Sequence, residues 1–240
     1  MTPAPFHLAG ERLLLDPAGV LAWPARRLLA VSDLHLEKGS HFARRGAFLP
    51  PYDTRDTIAR LASAIRRHSP RVLVLLGDSF HDAEGFSRML PADAAALRHA
   101  LDAVERTVWV LGNHDPVPPE GLPGENCDEF RDGPLTFRHQ AAPALPNGSG
   151  ELSGHFHPKA TMATRAGGVT RPCFAADPRR VILPSFGTYT GGLDVRDPAI
   201  ATLFPRGGRA FLLGRDRLYA APMGPAKRLA HSDALLTSLP

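Results

Sequence analysis

Three short apolar runs, at residues 27–31, 71–76 and 107–111, each end on a polar cluster, with helical periodicity filling the gaps between them. A run of that length, bounded by turn-forming residues, reads as a buried strand. The first stops at Ser32-Asp33-Leu34-His35, the second at Gly77-Asp78 and the third at Gly112-Asn113-His114-Asp115. Between the first two, Asp53 or Thr54 can cap a helix running to about His68, with Ile58, Leu61, Ala62 and Ile65 along one face. Between the second and third, a helix is predicted over about 92–104. Strand, polar cluster and helix in repetition predict α/β organisation, with polar residues gathered along the carboxyl edge of a sheet.

The second half has a different texture. After a Pro/Gly/acidic loop at about 116–132, short segments at 135–138, 181–183, 200–203 and 210–213 are separated by Gly- and Pro-rich turns. These predict strands of a second, mixed or antiparallel sheet. Two sheets packed face to face with helices outside would set His139, His155 and His157 opposite the first three clusters. The chain of 240 residues has no linker-like stretch, so one domain over 1–240 is expected, ending in a weakly helical segment at 226–236.

Composition excludes some classes. With 43% hydrophobic and 22% charged residues, wholesale disorder is excluded. Cys127 and Cys173 are too few for a disulfide framework and form no CxxC pair, so they read as incidental thiols. No stretch approaches the ~18 apolar residues of a spanning helix, so a soluble cytoplasmic chain without a membrane partner is expected. Net charge is +4, and only Lys38, Lys159 and Lys227 of the 28 basic residues are lysine. The planar arginine fork suits phosphate recognition, although a genome with biased codon usage produces the same excess in proteins of every function.

The clusters carry chemistry. In an extended segment residues two apart share a side, so Asp33 and His35 can grip one cation. Gly77 permits a sharp turn that aims Asp78 at a point. Asn113 offers a neutral oxygen, while His114, held by Asp115, is free to donate a proton. Gly154-His155-Phe156-His157 repeats the alternation, with two imidazoles on one face and Phe156 turned into the core. Each also has a bland reading: a chance triplet, a solvated loop aspartate, a strand-to-turn cap, a surface histidine. With His139, and leaving His114 and Asp115 for proton transfer, they amount in order to two carboxylates, one amide and four imidazoles at strand ends, enough for two divalent metals.

In this order the sequence resembles the calcineurin-like metallophosphoesterase superfamily, whose pattern D-x-H, G-D, G-N-H-[DE], H, G-H-x-H it matches over residues 33 to 157. The resemblance implies a four-layer αββα fold, two sheets flanked by helices. It implies that Asp33, His35, Asp78 and His157 bind one metal and that Asp78, Asn113, His139 and His155 bind the other, with Asp78 bridging. His139 takes the fourth motif because no other histidine lies between His114 and His155. Two divalent ions less two aspartates and a hydroxide leave about +1 to meet a phosphodiester anion. The implied chemistry is in-line hydrolysis, with His114, oriented by Asp115, protonating the leaving alkoxide. A nitrogen and oxygen ligand set without thiolate suits Mn²⁺, Fe²⁺ or Zn²⁺, and manganese is the expected ion.

The chain departs from the broad pattern where an acidic residue often stands three positions after the bridging aspartate; here it is His81, beside Asp82. The Asp-Arg-Gly of the superfamily's protein phosphatases is absent. Leu76-Gly77-Asp78-Ser79-Phe80-His81-Asp82, His155-Phe156-His157-Pro158, Leu183-Pro184-Ser185-Phe186-Gly187 and Thr190-Gly191-Gly192-Leu193 look like the bacterial PdeM family, ligase-associated metallophosphoesterases of DNA-damage-response gene clusters. That resemblance implies a manganese-dependent DNA endonuclease or phosphodiesterase with repair-protein partners encoded nearby, and single-stranded or distorted DNA is expected because a two-metal cleft must reach the phosphate. His81, His41, Arg44 and Arg45 are candidate substrate contacts, as are the arginines at 165–171. Two other functions stay open: hydrolysis of a small cyclic or dinucleoside polyphosphate, and a non-catalytic binding module that merely keeps the fold.

Overall fold

In a computed structural model, which describes residues 1–116, 121–165 and 167–225, seven strands form one sheet in sequential order. They are β1 (Ala4–Leu8), β2 (Glu11–Leu15), β3 (Leu21–Trp23), β4 (Leu28–Val31), β5 (Val72–Leu76), β6 (Arg106–Val110) and β7 (Glu125–Cys127). β1 to β4 run antiparallel and β4 to β7 parallel. Val31 pairs with Leu75 and Leu75 with Trp109, so the chain leaves all three predicted strands at one level and the polar clusters share an edge.

The second sheet among the described residues holds β8 (Glu129–Asp132), β9 (Leu135–Arg138), β10 (Gly150–Ser153), β11 (Lys159–Thr164), β12 (Gly167–Ala176), β13 (Arg180–Ile182), β14 (Gly208–Leu213) and β15 (Leu218–Met223). Its order is β15-β14-β12-β13-β10-β9-β8, with β11 paired to β12. β9, β10 and β13 are parallel, so His139 after β9 and His155 after β10 also leave at one end.

Strand periodicity sorts the apolar residues into layers. Ala30, Val74, Leu76, Val108 and Val110 face Phe137, Leu152, Phe174 and Val181 of the other sheet in a closed core. Their neighbours Leu29, Val31, Leu73, Leu75 and Trp109 face α2 (Asp53–His68) and α4 (Pro91–Asp102), which follow the short α1 (Lys38–Ala43) and α3 (Gly85–Arg88) respectively. On the far side, Cys173, Ala175, Ile182 and Leu212 pack on Ile200 and Phe204 in and beyond α5 (Pro198–Ala201). This is the expected two-sheet sandwich with helices outside.

Four local expectations are corrected. Residues 200–203 form part of a helical turn rather than a strand, because Asp197 accepts from Ala199 N at 2.9 Å and Pro198 opens the first turn. The loop at 116–132 contains β7 and β8, short and polar edge strands without the apolar signature of a buried one. In α2 the buried stripe is Ile58, Leu61, Ala64 and Ile65, with Ala62 only partly covered. Asp53 and Thr54 do not cap their own helix. Asp53 accepts from Gly39 N at 2.8 Å and Thr54 from Glu37 N at 2.8 Å, which satisfies donors at the start of α1 instead. Cys127 and Cys173 are both free. No helix among the described residues is long and apolar enough to cross a membrane. The predicted helix at 226–236 lies outside the described residues.

Candidate metal centre

The first cluster does not leave β4 as extended chain. Asp33 and His35 adopt left-handed backbone, with φ of 54° and 44°, and so do Asp78 (48°), His155 (70°) and His157 (47°). Such values cost most L-residues about 1–2 kcal/mol and are commonest at Asn, Asp and His. Neighbouring loops hold them there: His35 N donates to Asp78 O at 2.9 Å and Leu36 N to Ser79 O at 2.9 Å. Strain concentrated this way marks a site whose geometry the surroundings over-determine.

The alternation argument for both histidine pairs is corrected accordingly. Asp33 and His35 do share a target, but through two left-handed turns rather than a zigzag. His155 and His157 do not share one. Asp33, His35 and His157 bring ligand atoms within 4.8 Å of one another, and Asp78, His139 and His155 form a second such triad. Phe156 between them is half-buried against the outer core of the second sheet.

Asp78 joins the two triads. Its Oδ1 accepts from His114 N at 2.9 Å, while its Oδ2 lies 3.4 Å from His139 Nε2 and 3.9 Å from His35 Nε2. Asn113 Oδ1 sits 3.0 Å from His139 Nε2 and 2.9 Å from His155 Nδ1, which adds the amide to the second triad. In the first, His157 Nε2 is 3.3 Å from Asp33 Oδ1 and 3.2 Å from His35 Nε2. Asp33 is buried and accepts from Ser32 Oγ and from His155 N, and Ser185 Oγ donates to its carbonyl.

The donor set fits divalent cations on its own chemistry. His139 Nδ1 lies 2.9 Å from the Leu76 carbonyl, where it can only donate. A neutral ring then turns the Nε2 lone pair toward two oxygen acceptors, Asn113 Oδ1 and Asp78 Oδ2, which is favourable only with a proton or a metal cation between them. Without a metal, the proton takes that place. Burial opposes charge on His139, but the Asp78 side chain and the charge of Asp33 outweigh it and raise the pKa to about 9. Burial would raise Asp78, yet His139 holds it down at about 2. Burial keeps His35 neutral, with a pKa near about 3, and lowers His155 as well.

A pH prediction follows from His139. Below about pH 9 a proton occupies the nitrogen that a cation needs, so binding must expel it. Apparent metal affinity therefore climbs as pH rises toward 9, by up to about tenfold per unit, and levels off above. Calorimetric titration with Mn²⁺ at stepped pH, in buffers of differing ionisation enthalpy, reads both affinity and protons released. An affinity flat between pH 6 and 9 would contradict this role for His139.

Two glycines are required by close approach. A Cβ on Gly77, whose φ is 77°, would enter the His139 ring, and one on Gly112 would strike the backbone nitrogen and Oδ1 of Asp78. Gly77→Ala is expected to cost about 1–2 kcal/mol from the backbone alone, lowering the melting midpoint by about 2–4 °C for each kcal/mol. It also displaces His139, so metal affinity falls with it. Retention of both midpoint and affinity would show that the turn tolerates a side chain.

The expected link between His114 and Asp115 is corrected. His114 Nδ1 lies 3.0 Å from the carbonyl of His81, not beside Asp115, and its Nε2 stands 4.0 Å from Asp78 Oδ2. Asp115 Oδ2 instead accepts from Ser79 N at 2.7 Å and Phe80 N at 3.1 Å, fixing the turn after Asp78. Burial, with Asp78 nearby, raises its pKa to about 6.

His81 stacks between His114 and Phe42, at 5.3 Å and 5.8 Å between ring centroids, with its Nδ1 3.5 Å from His35 Nδ1. Burial, followed by the charge of Lys38, lowers its pKa to about 4. Asp82 turns away to a bidentate pairing with Arg88 and to His41 Nδ1 at 2.6 Å. Of the other candidate substrate contacts, His41 is thus engaged and Arg44 pairs with Glu84. Arg45 is exposed and has no side-chain ion pair among the described residues. His41, Arg44 and Arg45 line a shallow groove of about 440 Å³ with residues 82–84. Arg165 and Arg171 are exposed on the β11–β12 hairpin, and Arg171 lines a separate groove with Arg215 and Tyr219.

A sandwich with two histidine-carboxylate triads at one edge is the architecture of a binuclear metal hydrolase. A family model described as calcineurin-like phosphoesterase matches residues 26–170, and the chain belongs to that family, which uses a binuclear metal site. Among solved structures, the crystal structure of the Pseudomonas putida nuclease MPE is similar, with a TM-score of 0.68 and 29% identity over 91% of this chain and 100% of that one. No curated protein matches the sequence.

Proposed function

We propose that this protein is a binuclear metal-dependent phosphodiesterase that cleaves DNA, prefers single strands, works with Mn²⁺ and serves DNA repair in the cytoplasm. Residues 1–240 act as one catalytic domain in this reading. The observation that carries it is the position of Asp78 Oδ2, 3.9 Å from His35 Nε2 in one triad, 3.4 Å from His139 Nε2 in the other and 4.0 Å from His114 Nε2. Likeness to a nuclease supports a polynucleotide substrate. The narrower resemblance to the ligase-associated family supports manganese and repair.

Two divalent cations, when bound, supply Lewis acidity and a nucleophile at neutral pH. Asp33, His35, Asp78 and His157 would hold one, and Asp78, Asn113, His139 and His155 the other. Two carboxylates against four neutral imidazoles leave the loaded site positive, suited to a phosphodiester anion. His114, fixed through Nδ1 by the His81 carbonyl, offers Nε2 to carry a proton to the leaving oxygen.

The test is to incubate the purified protein with closed circular single-stranded DNA, and with a panel of cyclic and dinucleoside nucleotides, under each metal in turn. Linearisation of the circle with Mn²⁺ is expected, with no comparable turnover of the nucleotides. An intact circle under every metal would overturn the nuclease reading.

A further inference from the structure

Two loops flank the first triad, and each carries exposed aromatic side chains. The loop at 187–193 is tied to the triad at both ends. Gly187 N donates to Asp33 O at 3.0 Å, Leu193 N to Phe156 O at 3.2 Å, and Gly192 packs against the His157 carbonyl. Tyr189, near its tip, is 40% exposed and has a φ of 62°. An aromatic residue there is strained where glycine or asparagine would not be, and neither burial nor a turn requirement accounts for the ring.

The other loop, at 44–52, joins α1 to α2. Phe48 is 85% exposed and Tyr52 64%. Ala47 N donates to Phe42 O at 3.0 Å, and the Phe42 ring stacks on His81 beside His114, so the loop is tied to the residue that walls the centre one position before Phe48. Tyr52 lies one helical turn before Asp56, which accepts from Thr188 Oγ1 at 2.8 Å. Thr188 N also donates to Thr57 Oγ1 at 3.2 Å, so Tyr52 and Tyr189 each stand next to the place where the second loop is pinned to the first turn of α2.

Cations accompany the rings. Arg45 stands three residues before Phe48, and Lys159 lies against Gly192; neither side chain has an ion pair among the described residues. Exposed aromatics with unpaired cations beside a phosphoester centre suit splayed bases on a phosphate backbone.

We propose that Phe48, Tyr52 and Tyr189 form a stacking rim that holds the bases of a single-stranded polynucleotide while its backbone crosses the metal centre. This rests on the phosphodiesterase reading and names the residues that would hold its single-stranded substrate.

The test uses two readouts on the full chain. Affinity for a short fluorescein-labelled single-stranded oligonucleotide is read by anisotropy with Ca²⁺ in place of Mn²⁺, and turnover of methyl p-nitrophenyl phosphate is read with Mn²⁺. Phe48→Ala, Tyr52→Ala and Tyr189→Ala are each expected to weaken oligonucleotide binding about fivefold or more, with turnover of the small diester unchanged. Tyr52→Phe and Tyr189→Phe keep the ring and retain affinity. Unchanged oligonucleotide affinity in the alanine variants overturns the rim. So does parallel loss of small-diester turnover, which would make the loops mere supports for the triad. Ring-dependent binding without cleavage by the wild type would keep the rim and sink the nuclease reading instead.

Discussion

Asp78→Asn is expected to lower phosphodiester turnover by at least the ~10²–10³ that loss of one preorganised charge-stabilising group costs, and to leave fewer than two metal equivalents bound. The substitution is nearly isosteric at a buried position, and an amide oxygen can still accept from His114 N, so the fold is retained. What goes is the negative charge on the oxygen that lies 3.9 Å from His35 Nε2 in one triad and 3.4 Å from His139 Nε2 in the other. His139 then loses one of the two carboxylates that raise it, so its pKa falls. Metal content by elemental analysis, turnover of a small diester and the His139 titration by NMR read the three consequences separately. Two full metal equivalents with turnover within tenfold of wild type would show that Asp78 does not bridge.

The parts of the fold legible in the sequence are those with a strong period. β4, β5 and β6 are buried on both faces, so each reads as an unbroken apolar run. α2 and α4 show a helical stripe because they cover only one of those faces. β7 and β8 were not legible because they are polar edges of three and four residues whose partners are set by the sheets, not by their own composition. At 200–203 a short apolar segment fits strand or helix equally well, and a cap at Asp197 decides it.

The centre shows the same division. Which residues converge was readable from their types and order, but how they converge was not. Alternation along an extended chain is the only geometry that spacing suggests, whereas left-handed φ at His155 and His157 sends the two rings to different triads. The partner of His114 was likewise hidden. Sequence adjacency pointed to Asp115, but Asp115 is drawn under the Asp78 turn by two backbone donors, and a main-chain carbonyl, which no composition can announce, takes its place. Lys159 did leave a signal: lysine is rare here, and it and Lys38 stand within three residues of a metal-ligand motif.

That carbonyl anchor decides what His114→Ala does. With Nδ1 donating to His81 O, the ring presents Nε2 toward Asp78 and the reacting group, in the orientation a general acid needs. General acid catalysis is worth about 10²–10⁴ when the leaving group is a poor one. A nucleoside alkoxide is such a group and p-nitrophenolate is not. His114→Ala is therefore expected to slow cleavage of DNA by that factor and to slow methyl p-nitrophenyl phosphate far less. Asp115→Asn separates this geometry from the adjacent-pair arrangement. Asp115 never touches the ring, so its replacement leaves the leaving-group dependence as in wild type and lowers thermal stability instead, because the amide disturbs the Ser79 and Phe80 donors. Equal losses by His114→Ala on both substrates would make His114 a support for Asp78 through its backbone neighbour rather than the proton donor.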